Sequence, residues 1–224
     1  MKIIAHIEND FKEKFGIPRQ SGITDELIST IVFEPEYRVR EALRGIEGYS
    51  HLWLIWQFSE ALRDSWSPTV RPPRLGGNKR VGVFATRSPF RPNPIGLSSV
   101  RLIEVRDTYD KGCVLIVAGA DLMNGTPIYD IKPYLSFTDS HPDAISGFAD
   151  EVKEYSLRVD FPDKLAEKIS PDKRDSLIKI LAGDPRPSYI ADGDRAYTFT
   201  YADYEISFTV NNGTVTVINI ENKG

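Results

Sequence analysis

Apolar and polar positions follow one another in short runs, and the runs predict strands rather than long helices. Lys2–Ile7 reads as a first strand. His51–Phe58 (His-Leu-Trp-Leu-Ile-Trp-Gln-Phe) is a continuous apolar run of strand length, which predicts burial on both faces. Val81–Thr86, Leu97–Val105, Gly112–Ala120 and Ile128–Leu135 predict further strands. Val39–Ile46 predicts a short helix stopped at Gly45 or Gly48. Phe11–Gly22 is a polar loop with Pro18, Arg19 and Gln20. Ser65–Lys79 holds Pro68, Pro72, Pro73, Gly76 and Gly77, too many breakers for a regular element. Residues 1–140 show no alternation of strand and helix, which argues for an antiparallel barrel or sandwich and against a doubly wound nucleotide fold.

The pattern changes near residues 140–150. Glu151–Asp160 predicts a strand, and Pro171–Leu181 a helix capped by Ser170, opened by Pro171 and stopped by Gly183. Ala196–Tyr201, Glu205–Val210 and Val215–Ile220 predict a meander, with Asn212-Gly213 as a tight hairpin turn. Ile206, Phe208 and Val210 alternate with Glu205, Ser207 and Thr209, so one face is buried. The expected organisation is a β domain over residues 1–150 and a small α+β domain over residues 151–224.

Composition narrows the function. The chain has 224 residues, 41% of them hydrophobic and 27% charged, so it is an ordinary globular protein of one or two domains. Its single cysteine, Cys113, lies in an apolar run and excludes a disulfide framework or a cysteine-based metal centre. The apolar stretches are too short for a membrane-spanning helix, and Met1–His6 lacks a secretory pattern, so a cytoplasmic protein is expected.

The net charge of −4 hides a local excess. Arg71, Arg74, Lys79, Arg80, Arg87, Arg91 and Arg101 share residues 71–103 with no acid among them. Arginine on proline-stiffened backbone suits phosphates, carboxylates or nucleic acid. Familiar catalytic signatures are missing: no zinc-protease histidine pair, no nucleophile elbow, no P-loop and no Gly-x-Gly-x-x-Gly after a strand. His6, His51 and His141 lie far apart in sequence and read as structural or surface residues, so no metal is expected. An enzyme built this way works by positioning and polarising reactants.

The most unusual stretch is Gly82-Val83-Phe84-Ala85-Thr86-Arg87-Ser88-Pro89-Phe90-Arg91-Pro92-Asn93-Pro94-Ile95-Gly96-Leu97. Its three prolines fix their own backbone and restrict Ser88, Arg91 and Asn93 before them, so the loop loses little entropy on binding. Together with Pro72-Pro73-Arg74-Leu75-Gly76-Gly77-Asn78, it resembles the signature of the TsaA-like (TrmO) family. Lys14–Gln20, Tyr49–Trp53, Asp121–Pro127, Asp130–Tyr134 and Asp184–Tyr189 resemble its other motifs, so the likeness spans nearly the whole chain.

The resemblance implies a small antiparallel β-barrel that binds S-adenosylmethionine, followed by the α+β domain, in a homodimer. It implies methyl transfer to the N6 atom of threonylcarbamoyl-adenosine beside the tRNA anticodon. Cofactor contacts carried over by position are Arg19, Gln20, Ser59, Glu60, Arg87, Leu97, Asp121, Leu122, Met123 and Asn124. Ser59 stands where the family often has His, and Asn124 where it often has Asp. Substrate contacts are Arg74, Arg91, Asp184, Arg186 and Tyr189, with Arg186 expected to meet the carboxylate of the threonylcarbamoyl group. Leu97, Leu122 and Met123 are expected around the adenine, and Trp66, Phe90 and Tyr189 are candidates for base stacking. No general base is assigned. The competing readings are a methyltransferase for another RNA or a small molecule, and a non-catalytic RNA- or nucleotide-binding module.

Overall fold

Inward-pointing apolar side chains two residues apart draw six strands into a ring. The computed structural model describes residues 1–22, 24, 27–72, 75, 79–152, 155–186 and 193–223. Its first part carries β1 (Ala5–Glu8), β2 (Ile28–Phe33), β3 (His51–Gln57), β4 (Thr69–Val70), β5 (Val81–Gly82), β6 (Ile95–Thr108), β7 (Gly112–Ala118) and β8 (Pro127–Pro133). Six of them close into an antiparallel barrel in the order β1-β2-β7-β6-β3-β8, with β8 pairing back onto β1. Strands β4 and β5 form a separate two-stranded ribbon. Ile7, Ile31, Leu52, Leu54, Leu115, Val117 and Ile128 fill the interior with no exposed surface. Each such side chain contributes about 1.5–3 kcal/mol by leaving water. Trp56 faces Gly96 across β3 and β6, and a Cβ at Gly96 would overlap the indole ring.

Several expectations are corrected. β3 alternates between buried and half-buried residues, because Trp53 turns outward and donates its indole N–H to Asp139 at 2.9 Å. The strand buried on both faces is β7. The run at Val81 is a strand only to Gly82. There the chain tightens into a 3₁₀ turn, Val83–Ala85, locked by the Thr86 N–H and hydroxyl on the Val83 carbonyl. Conversely, Thr69–Val70 survives its proline-rich surroundings by pairing with Val81–Gly82. Two 3₁₀ turns, Arg40–Leu43 and Ile46–Gly48, replace the helix expected at Val39–Ile46, because Gly45 between them takes φ +89° and interrupts the winding. Ile28–Phe33, whose inward Ser29 masked its periodicity, adds a strand the pattern did not predict.

The first part ends in the short helix α1 (Ser136–Asp139), whose Asp139 holds Trp53 of the barrel, and the second part carries helices α2 (Asp163–Ala166) and α3 (Pro171–Ala182) and strands β9 (Arg158–Asp160), β10 (Gly193–Tyr201), β11 (Tyr204–Asn211) and β12 (Thr214–Asn222). The strand expected over Glu151–Asp160 shrinks to β9, which runs parallel to β12 in the sheet β10-β11-β12-β9. Ser170 precedes α3 in extended geometry, but its side chain makes no cap bond. Asn212 and Gly213, at φ +48° and +73°, form the tight turn between β11 and β12. Leu177 and Leu181 of α3 belong to one core with Phe199, Phe208 and Val215.

One segment of the first part joins that second core. Phe11 lies 5.6 Å from the Tyr201 ring, and Phe15 meets Phe199 edge-on at 5.8 Å. Gly16, at φ +96°, lies against Phe199 where a side chain would collide. Glu13 accepts the Thr200 N–H at 2.5 Å, Asp10 accepts the Ala202 N–H at 3.0 Å through its carbonyl, and the Asp10 carboxylate pairs with Lys173. Residues 10–17 are thus a strap sewn into the second sheet, and Arg19 and Gln20 follow directly.

Candidate active site

The antiparallel ring collects loop ends on one side. β3 and β7 finish there and β6 begins there, so residues 19–22, 58–60, 86–97 and 119–124 meet at one end of the barrel. The Gly22 N–H donates to the Gly119 carbonyl at 2.9 Å, and Phe58 N–H to the Pro94 carbonyl at 2.9 Å. These backbone ties bring four distant sequence segments together.

Asp121 is the centre of the cluster. Ser98, buried on β6, donates its hydroxyl to Asp121 Oδ1 at 2.5 Å and accepts the Trp56 indole N–H at 2.9 Å. Burial pushes the Asp121 carboxyl above its ordinary range; the Ser98 hydroxyl and the nearby Arg87 charge oppose that rise. Arg87 also donates to Gln20 Oε1 at 2.5 Å, so Gln20, Arg87 and Asp121 form one polar group of both charges.

The loop around Arg87 is held by itself as well as by its prolines. Thr86 Oγ1 accepts the Ser88 N–H, and Ser88 Oγ accepts the Phe90 N–H, both at 3.2 Å. Arg91 donates to the Thr86 carbonyl at 3.1 Å, so it braces the loop. Arg63 caps the Phe90 ring at 3.8 Å.

The other candidate residues divide. Asn124 is fixed by Asn9: the Asn9 N–H donates to Asn124 Oδ1 at 3.0 Å, and Asn9 Nδ2 to the Leu122 carbonyl at 2.8 Å. Ser59 and Glu60 sit on a 3₁₀ turn at the exit of β3, and Lys14 of the strap donates to the Glu60 carbonyl at 2.8 Å. Met123 is partly buried beside Asn124. Leu122 is wholly buried in the barrel core. Leu97 is 57% exposed and paired with Ile55; it points away from the barrel interior into which Ser98 points.

Arg19 and Arg186 meet beside Asp184. Arg19 Nη2 donates to the carbonyls of Asp184 and Arg186, at 3.0 and 2.8 Å. Arg186 grips Asp184 through Nε at 2.8 Å and Nη2 at 3.1 Å, and both side chains are only 7% exposed. Burial pushes Asp184 up, but the Arg186 and Tyr155 hydrogen bonds outweigh it and hold the carboxyl below its ordinary range. Arg74 and Tyr189 lie outside the described residues.

Sequence reasoning missed Ser98, Trp56, Asn9 and Tyr155. A signal existed for Ser98: on β6 it shares the inward face with Gly96 and Val100, and a polar residue inside a barrel needs a partner. Among the described residues, no group of three or more His, Cys, Asp or Glu could hold a metal. No described helix is long and apolar enough to cross a membrane.

Fold and site together define a two-part β protein whose closed barrel gathers a doubly charged polar site at one end, braced by a second α+β unit. Comparison with known proteins names the family. Residues 6–140 match the model of the tRNA-methyltransferase O N-terminal domain, and residues 154–223 match that of the TrmO C-terminal domain. The tRNA (adenine(37)-N6)-methyltransferase of Escherichia coli (strain K12) is 39% identical over 227 residues, covering 97% of this chain and 96% of that protein. An enzyme of the same name from Eikenella corrodens is 44% identical over 166 residues, covering 74% of this chain and 93% of its own. The crystal structure of TrmO from Pseudomonas aeruginosa superposes with a TM-score of 0.74 at 31% identity, covering 98% of this chain and 97% of that one. The chain belongs to the tRNA-methyltransferase O family.

Proposed function

We propose that the chain is an S-adenosylmethionine-dependent tRNA methyltransferase acting on the N6 atom of threonylcarbamoyl-adenosine beside the anticodon. The observation that carries this reading is the polar group at the barrel end. Asp121, Arg87 and Gln20 supply both signs of charge and an amide within one loop cluster, which fits a ligand bearing an ammonium and a carboxylate. Asp121 would face the ammonium or the ribose hydroxyls, and Arg87 the carboxylate. Gln20, Ser59, Glu60, Met123 and Asn124 would complete the contacts, with Leu122 contributing backbone alone. Bound S-adenosylmethionine supplies an electrophilic methyl on its sulfonium.

The protein's part is placement. In-line displacement needs the acceptor nitrogen held on axis near the methyl, and a pre-formed loop lowers the entropy cost of holding it there. The hydrogen bonds within residues 83–91 support that role. The exposed cations Arg71, Lys79 and Arg80 would meet RNA phosphates. Arg91 and the 184–186 segment would frame the substrate, with Arg186 acting through Asp184. The exposed pair Trp66 and Phe84, 6.0 Å between ring centres, offers a stacking surface for an unpaired base.

Two finer parts of the reading concern assembly and place. The outward apolar residues Ile95 and Leu97 on β6 support a homodimer formed through that face. A tRNA substrate supports action in the cytoplasm.

The test is incubation with S-adenosylmethionine and tRNA carrying threonylcarbamoyl-adenosine, followed by digestion and mass measurement of the nucleosides. One added methyl on that nucleoside alone is the expected result. Binding of S-adenosylmethionine without methylation would move the acceptor to another RNA or a small molecule. Absence of both would leave a non-catalytic binding module.

A further inference from the structure

Arg19 and Gln20 are sequence neighbours that serve opposite halves of the molecule. Gln20 accepts from Arg87 at the barrel end, while Arg19 Nη2 bridges two main-chain carbonyls of the second part, those of Asp184 and Arg186. The bridged segment is itself rigid. Asp184 takes φ +53°, its carboxylate is held on two sides by Arg186, and Tyr155 Oη donates to Asp184 Oδ2 at 2.8 Å. Behind Arg19, the strap anchors Phe11 and Phe15 in the core of the second sheet.

A guanidinium that donates to two carbonyls one residue apart fixes both the position and the direction of that peptide segment. The same short loop fixes Gln20 against Arg87. The separation between the 184–186 segment and the polar group at Asp121 is therefore set through the Arg19-Gln20 dipeptide.

We propose that Arg19 is a positioning residue that holds the 184–186 segment in register with the barrel-end site, and that this register is what distinguishes threonylcarbamoyl-adenosine from plain adenosine in the same tRNA. The proposal rests on the function given above. Tyr155 is the supporting member of the same device: it steadies Asp184, whose main chain Arg19 grips. The family resemblance put Arg19 among the cofactor contacts; the proposal assigns its guanidinium instead to the carbonyls of Asp184 and Arg186, to which Nη2 is bound.

The experiment compares full-length wild type with Arg19→Ala, Arg19→Lys and Tyr155→Phe. Affinity for S-adenosylmethionine is measured by calorimetry. Methylation is measured as kcat/KM on tRNA with threonylcarbamoyl-adenosine and on the same tRNA lacking it. In Arg19→Ala, the preference for modified tRNA falls about tenfold, the order expected when hydrogen bonds from a charged donor are lost. S-adenosylmethionine affinity stays within about threefold of wild type, since the lost bonds lie outside its contacts. Arg19→Lys keeps a cation that reaches one carbonyl and restores part of the preference. Tyr155→Phe lowers it by a smaller factor, because Arg186 still holds Asp184.

A tenfold loss of S-adenosylmethionine affinity in Arg19→Ala with the tRNA preference retained would make Arg19 a cofactor ligand and overturn the proposal. So would a lowered melting temperature with the preference unchanged, which marks a merely structural clamp. A wild-type protein that binds S-adenosylmethionine yet methylates neither tRNA overturns the assigned function, and the register proposal with it. A methylating wild type matched by Arg19→Ala overturns the role of Arg19 alone.

Discussion

Ser98 joins Asp121 to the barrel core: its hydroxyl donates to the carboxylate at 2.5 Å and accepts the Trp56 indole N–H at 2.9 Å. A core aromatic therefore aims the acid at the barrel end through one buried hydroxyl. Ser98→Ala strands the indole N–H and removes a bond that holds the Asp121 pKa down. The variant loses about 1–3 kcal/mol of stability. It also binds S-adenosylmethionine more weakly, because Asp121 is no longer aimed. Denaturant unfolding and calorimetry check the two effects, and unchanged stability would mean that Trp56 finds another acceptor.

Asp121 also gives the fold a pH dependence of defined sign. Burial, only partly opposed by Ser98 and Arg87, raises its folded pKa above the unfolded value. Its contribution is therefore fully present below the unfolded pKa, near 4, and is lost as pH rises through the folded pKa. Asp121→Asn removes that loss. Without cofactor the variant melts higher than wild type at pH 7. The difference vanishes near pH 3.5. Melting curves from pH 3.5 to 7.5 test this, and methyl transfer falls in the same variant.

Asp184 acts in the opposite direction. Burial pushes its pKa up, but Arg186 and Tyr155 more than compensate, and the folded value lies below the unfolded one. Its contribution is present above about pH 4 and is lost as pH falls through the folded pKa. Asp184→Asn tolerates the left-handed backbone but leaves Arg186 buried without its charge partner. The cost is about 3 kcal/mol at pH 7, the low end for breaking a buried pair. Unfolding at pH 7 and at pH 3 should show the gap closing in acid.

Leu97 reports on assembly. It is 57% exposed beside Ile95, on the outward face of β6. Leu97→Asp places a charge in the proposed apolar contact and shifts the protein from dimer to monomer at micromolar concentration. Sedimentation velocity reads the change; an unaltered dimer would place the interface elsewhere.

Binding of tRNA weakens steeply with salt, because each phosphate contact releases counterions. Arg71, Lys79 and Arg80 are exposed on the acid-free stretch. Replacing Arg71 or Lys79 by alanine lowers the slope of log affinity against log salt by about 0.7–1 per lost contact. Titrations between 50 and 200 mM KCl, round figures that span the sensitive range, measure it.

Most of the architecture was legible locally. Alternation placed β6, β7 and β8, the meander β10-β11-β12 and the helix α3, because pleat and helical periods are written in neighbouring residues. The proline-rich loop and its cations were legible for the same reason. What failed depended on distant partners. β9 is three residues long and exists because β12 pairs with it. Val81–Thr86 could not announce that its backbone closes on Val83 after Gly82.

The sequence by itself determined which chemistry the chain carries: a charged loop on stiff backbone, no covalent nucleophile motif, and the signatures of one family. Tertiary structure alone decided how those groups are used. Ring closure turned Ser98 inward and Leu97 outward from adjacent positions, and linked Asp121 to Trp56 through Ser98. The strap at residues 10–17 entered the second core and carried Arg19 to Asp184 and Arg186, about 165 residues away along the chain. Burial and hydrogen-bond partners belong to space rather than to sequence neighbours, and they decide whether an arginine faces a ligand or braces the fold.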